Sequence, residues 1–283
     1  MNGIAYSRYS MGASITVSLW RRVLCAFVRV GILIAFVGVL IELLGPPISI
    51  FFTARWEARK LPGVKVAPRP LADYSVSDAS GTALSYFGYE FDVPWNASFK
   101  EKAFSKNGIV QIEFELGQNV TFIVPKNQSG LLTKIVQDES MHMKNLQVVF
   151  GDLMNRSPYD QQAALLNTTP SSIRAFEPRA EAIRGVTLLT IKAIASASGL
   201  ETGVFSFQLP DKRGFQIGDP QKSRRVDLEV FDIGGHHVEI ICATAKDGIR
   251  LSQPELNRIL KSFHLGLAGS SGAPPAHTAA LRN

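Results

Sequence analysis

The apolar positions are unevenly distributed, and their pattern divides the chain into regions of different character. From Val23 to Leu44 the residues VLCAFVRVGILIAFVGVLIELL are apolar on every helical face over 22 positions. At about 1.5 Å of rise per residue, that length crosses a hydrocarbon core of about 30 Å. Arg29 in the first third and Glu42 near the far end can both snorkel toward headgroups, and Gly45-Pro46-Pro47 breaks the helix beyond them. A cleaved signal peptide is the main rival, because the uncharged stretch Val30 to Ile41 has the length of a signal h-region. A buried core helix is the other. The window where cleavage would fall holds Pro46, Pro47, Ile48, Ile50, Phe51 and Phe52, with no clean small-x-small site, so an uncleaved signal anchor is favoured.

Downstream the periodicity changes. Alternating patches at Tyr89 to Pro94, Ile109 to Leu116, Asn119 to Val124, Gly203 to Leu209, Gly214 to Ile217, Val226 to Phe231 and Val238 to Ala243 predict strands. Gly117-Gln118 reads as a two-residue turn and Asp232 to His236 as a longer loop, which makes the neighbouring strands antiparallel. Gly130 to Ala195 reads as helical. It opens on a stripe of Leu131, Leu132, Ile135, Val136, Met143 and Leu146; Ser157-Pro158-Tyr159-Asp160 and Thr169-Pro170 each start a short helix, and Arg179 to Ala195 forms a longer one. Ser252-Gln253-Pro254-Glu255 is a capping-box signature ahead of Leu256, Ile259, Leu260 and Phe263, spaced as one helical face. The expected fold class is α+β: one N-terminal transmembrane helix, then a mostly antiparallel sheet packed with helices in an α/β/α sandwich-like arrangement.

The expected organisation is a basic tail (1–22), the anchor (23–44), a Pro-rich stalk (45–70), an α/β domain (71–265) and a loose tail (266–283). Leu61 to Pro70 supplies three prolines, and Gly266 to Asn283 has too few large apolar groups to offset the entropy of ordering.

Charge changes this picture only locally. The net charge of +6 and pI near 9.4 would suit a polyanion. However, Arg21, Arg22, Arg29, Arg55, Arg59, Lys60, Lys65 and Arg69 all border the apolar run, where basic residues set topology and meet headgroups, so no nucleic-acid partner is expected. The bilayer, through residues 23–44, and a protein or envelope component bound by the α/β domain are the expected partners, with a membrane-tethered enzyme using Glu229 and Glu239 as the alternative function. The charges abutting the start of the span favour a single-pass protein with its N-terminus cytoplasmic and its C-terminal domain extracytoplasmic. A domain on the cytoplasmic leaflet is the alternative.

The strand carrying Phe91-Asp92-Val93-Pro94-Trp95, the hairpin after it, the late antiparallel pair at Val226 to Ala243 and the closing amphipathic helix together resemble the PsbP-like α/β/α sandwich. The likeness touches about half of residues 72–265, and the long helical middle departs from it. It implies an accessory or binding module and carries no catalytic residue with it.

Signatures of common chemistry are missing: no G-x-S-x-G, P-loop, G-x-G-x-x-G, H-E-x-x-H or paired C-x-x-C occurs. No cofactor or metal is expected. Cys25 falls in the span and Cys242 in a strand, both as apolar packers. His236 and His237 read as a solvated loop pair, because successive side chains at a strand start point to opposite faces. Val226, Leu228 and Val230 with Val238, Ile240 and Cys242 define the inward face of a hairpin. If Val230 lies opposite Val238, Glu229 falls opposite Glu239. Close carboxylates can raise one pKa for acid/base work, which makes Glu229, Glu239 and His237 the candidate catalytic residues. The plainer reading is a wet sheet face where Lys222, Arg224 and Arg225 relieve the repulsion. Gly214 to Pro220 reads as a strand and turn, with a ligand loop as the alternative.

Overall fold

The computed structural model describes residues 62–95, 99–104, 108–125, 146–174, 178–194 and 199–265, with isolated positions at 48–49, 51–52, 55–56, 128, 130 and 132. The apolar run 23–44, both tails and most of the stripe from Leu131 to Leu146 lie outside these residues. Among the described residues, no helix is long and apolar enough to cross a membrane.

The described chain is α+β and its sheets are mostly antiparallel. The strands are β1 (Arg69–Pro70), β2 (Thr82–Tyr86), β3 (Tyr89–Val93), β4 (Phe99–Phe104), β5 (Ile109–Phe114), β6 (Gln118–Ile123), β7 (Val204–Gln208), β8 (Lys212–Ile217), β9 (Arg225–Asp232), β10 (His237–Thr244) and β11 (His264–Leu265). The helices are α1 (Leu146–Met154), α2 (Pro158–Asn167), α3 (Arg179–Ile194) and α4 (Gln253–Ser262). An eight-stranded sheet runs β1-β7-β8-β9-β10-β6-β5-β4, and a three-stranded sheet runs β11-β3-β2. All pairs are antiparallel except β1 with β7.

Period-two alternation places Val226, Leu228 and Val230 of β9 with Val238, Ile240 and Cys242 of β10 in one core, as the hairpin register requires. Phe91 and Val93 of β3 and Leu256, Ile259 and Leu260 of α4 close over that face. Helix α4 keeps its expected start: Glu255 Oε2 accepts from the Ser252 backbone N–H at 2.7 Å and from its hydroxyl at 2.8 Å. On the opposite face of the large sheet, Tyr159, Ala163 and Leu166 of α2 pack with Phe215, Ile217 and Phe231. Helices α1, α2 and α3 share a small core of their own around Phe150, Leu165 and Leu188.

Several expectations are corrected. The turn before β6 spans 115–117 rather than Gly117-Gln118: Gly117 N–H donates to Phe114 O at 3.0 Å with φ +84°, and Gln118 already belongs to the strand. Glycine tolerates that left-handed position, so the chain makes a three-residue hairpin loop. Thr169-Pro170 begins a turn, not a helix. Ser172 Oγ accepts from the Thr169 N–H at 3.1 Å and donates to Thr169 O at 2.7 Å, closing the segment on itself. The second half of the expected stalk is docked rather than free. Val64 is buried with Ile173 and Leu189, Leu71 N–H donates to Ser206 O at 2.8 Å, and Arg69–Pro70 pairs with β7.

Candidate functional site

Glu229 and Glu239 face each other across the β9–β10 ladder in the expected register. Their surroundings are not the expected wet face. Helix α2 crosses above, and Glu229 keeps only 14% of its side chain exposed. Gln162 of that helix donates Nε2 to Glu229 Oε1 at 2.9 Å. The His237 ring approaches from β10, its Nε2 3.8 Å from Glu229 Oε2, an ion-pair distance when the imidazole is protonated. Three elements therefore converge on one carboxyl group. Burial pushes the Glu229 pKa up to about 8, with the charges of Glu239 and Asp227 acting in the same direction and the Gln162 hydrogen bond opposing them.

Asp227, two residues along the same face, is buried and takes a bidentate pair from Arg225, Nε to Oδ1 at 2.7 Å and an Nη to Oδ2 at 2.9 Å. Burial raises its pKa and the Arg225 pair opposes that rise. The expected basic relief is thus confined to Arg225. Lys222 pairs with Asp219 at 3.1 Å, and Arg224 donates to the carbonyls of Ala245 and Gly248.

The histidine pair divides as strand geometry requires. His236 stays in the loop, where Asp232 accepts from its backbone N–H and contacts its Nδ1, both at 2.8 Å. His237 is tucked in rather than solvated, its ring stacked on Phe231 at 4.5 Å between centroids and 8° between planes. Its backbone N–H donates to Gln128 Oε1 at 2.6 Å. Cys242 is fully buried and burial raises its thiol pKa, which suits the packing role. Gly214 to Ile217 lies within β8 and Gly218, at φ +109°, leads out of it, the strand-and-turn arrangement of that run. Among the described residues, no group of three or more His, Cys, Asp or Glu side chains is placed to hold a metal ion.

Gln128 connects this cluster to a hollow of about 500 Å³ at the same end of the sheets, lined by Phe87, Tyr89, Gly108, Val124, Pro125, Gln128, His236 and Leu265. Its rim is built by an unusual turn. Phe87 and Gly88 join β2 to β3 with φ of +54° and +84°, and Phe87 is the one non-glycine residue with positive φ among those described. A two-residue hairpin of this hand asks for Asn-Gly, so phenylalanine carries a steric cost there. It is partly offset by stacking of Phe87 on Phe122, with centroids 6.3 Å apart and planes 16° apart. Phe87 still exposes 38% of its surface and Leu265 exposes 55%.

Sequence reasoning brought Glu229, Glu239 and His237 together but missed Gln162, Gln128 and Phe87. The two glutamines carry no periodic signal. Phe87-Gly88 between flanking tyrosines was the available clue to a hairpin. Comparison with known proteins adds no relative: no family model matches the chain, and no curated protein or solved structure is significantly similar to it.

Proposed function

We propose that this is a single-pass membrane protein, anchored through residues 23–44, whose extracytoplasmic α/β/α sandwich-like domain binds a protein partner at the hollow beside Phe87. The observation that carries the binding role is the exposed aromatic side chain held at positive φ on the rim of an apolar hollow. A strained, exposed phenylalanine is costly to folding in water, and such outliers concentrate at binding sites. Ile233 on the adjoining β9–β10 turn is 79% exposed and enlarges the apolar area. The PsbP-like element order, read as an accessory module, supports the same role. Anchoring raises the effective concentration of the domain at the membrane, so a modest interface is sufficient.

A photoreactive phenylalanine derivative introduced at position 87 of the full chain, and separately at exposed Leu116 at the opposite end of β10, tests the reading. Discrete crosslinks from position 87 and none from position 116 are expected in host membranes. Indiscriminate labelling from both positions, or none from 87, would overturn it. Reporters fused after residue 70 and at the C-terminus test the orientation, and activity of a cytoplasmic reporter would reverse it.

A second reading is favoured by one observation, the raised pKa of Glu229 opposite Glu239. A membrane-tethered enzyme using Glu229 as general acid, with Glu239 and His237 as partners, requires substrate to reach beneath α2. If E229Q and E239Q together preserve the host phenotype, that reading is lost.

A further inference from the structure

Immediately after the apolar run, Ile48, Ser49, Phe51, Phe52, Arg55 and Trp56 are helical. Phe51 and Arg55, and likewise Phe52 and Trp56, are four residues apart in sequence, the separation of side chains that share a helical face. The described positions thus offer one face with three aromatic rings and a guanidinium. Two of the rings are among the most exposed large apolar groups described, Phe52 at 65% and Trp56 at 58%. Arg55 reaches back one turn and sets its guanidinium over the Phe51 ring, 4.4 Å from the centroid. This cation–π contact keeps the charge level with the aromatic rings.

Resting on the anchor reading above, we propose that this face is a foot that lies in the headgroup layer of an anionic bilayer, next to the transmembrane run. Three observations favour lipid over a protein partner. The face follows residues 23–44 closely in sequence, separated from them by Gly45-Pro46-Pro47, a helix-breaking sequence. Its composition, Trp and Phe interleaved with Arg, is that of the membrane–water boundary, where the rings sit at headgroup level. Residues 45–61 carry Arg55, Arg59 and Lys60 against the single acid Glu57, which complements an anionic surface. The foot fixes how the domain leaves the membrane, which a span followed by a free stalk would not do.

Fluorescence of the full chain in vesicles tests this. Trp20, Trp56 and Trp95 are its three tryptophans, and Trp95 is buried in the core. In a W20F background, the signal lost on W56F isolates Trp56. The vesicles are phosphatidylcholine with or without phosphatidylglycerol, brominated either near the headgroups or near the chain ends. Shallow bromines are expected to remove about half of the Trp56 emission and deep ones little, with R55E reducing the shallow quenching in the anionic vesicles by about two-fold or more. Quenching only by deep bromines would place Trp56 within the span and overturn the foot. Full access to an aqueous quencher without bromine quenching would also overturn it, while retention of the chain through an alkaline carbonate wash leaves the anchor standing. Release of the chain by that wash would refute the anchor itself, whatever the fluorescence shows.

Discussion

Glu229 is a carboxyl group whose surroundings oppose its own charge, so its protonation is linked to folding. Its pKa is 4.5 when unperturbed and about 8 in the folded chain. Between those values the folded state holds a proton that the unfolded state has released, so stability is highest at low pH and falls as pH rises through about 8. Denaturant unfolding of the detergent-solubilised full chain from pH 5 to pH 9 should show that decline. E229Q should flatten it and exceed the wild type by about 1–3 kcal/mol at the alkaline end. An E229Q profile parallel to the wild type would locate the effect elsewhere. Phe87 poses the opposite question. Left-handed backbone costs a β-carbon residue about 1–2 kcal/mol, while its stack on Phe122 returns about 0.5–1.5 kcal/mol. F87N relieves the first and loses the second, so its folding free energy should stay within about 1 kcal/mol of wild type while partner crosslinking from a neighbouring probe collapses. A large loss of stability in F87N would mean the ring is there for packing. At this scale the alternation of Val226 to Val230 puts Glu229 on the face opposite the core, and its pairing with Glu239 follows only from the register that sets Val230 opposite Val238. What covers those carboxylates was not legible, because Gln162 reaches them from 67 residues away in sequence and nothing local encodes that contact.

Among the elements, Lys192 holds the most together. Its buried ammonium donates to the carbonyls of Val66 at 2.7 Å, Leu166 at 2.7 Å and Thr168 at 3.0 Å. Two of these lie at the C-terminus of α2, where unsatisfied carbonyls and the negative end of the helix dipole favour a cation. The third belongs to the segment leading into β1, so one side chain of α3 ties a helix end and an incoming strand together. K192M leaves the three carbonyls without that donor and should cost about 3 kcal/mol or more in urea denaturation. Burial lowers the Lys192 pKa from 10.5 to about 8. In that window the unfolded state binds the extra proton, so wild-type stability should rise with pH between them, and K192M should lack the rise. Glu255 plays a comparable part at α4, joining the Ser252 cap to the Trp95 indole N–H, which donates to its Oε1 at 3.2 Å. E255A should cost about 1–3 kcal/mol and shift Trp95 emission. The α4 start was legible because capping chemistry is local. Strands β2 and β4 were not: TALSY alternates over only five residues with Leu84 alone buried, too short a run to stand out, and FKEKAF places charges along a sheet edge, where they discourage pairing with another chain and mask the strand pattern.

For the whole molecule, the docking of segment 62–70 shortens the tether that the proposed anchor would leave. A stalk reaching to residue 70 would leave 26 residues between the apolar run and the domain, whereas the structure starts the domain at the turn Pro62–Lys65. Residues 45–61 are what remains, and their first part carries the aromatic face at 51–56. If the proposed anchor and foot hold, so short a tether would keep the hollow at Phe87 within a narrow range of heights above the bilayer and restrict its partners to those near the membrane. The same docking has a cost that can be measured. A chain beginning at Leu71 forfeits the burial of Val64 against Ile173 and Leu189, the β1–β7 pairing and the Val66 acceptor of Lys192. Burial of one valine contributes about 1.5 kcal/mol or more, and a lost acceptor for a buried ammonium about as much again. A fragment of residues 61–265 should therefore melt about 5–15 °C above one of residues 71–265 by circular dichroism. The K192M substitution should narrow that gap, because the longer fragment then loses the contact that the shorter one already lacks. Equal melting temperatures for the two fragments would show that residues 62–70 contribute nothing to the fold.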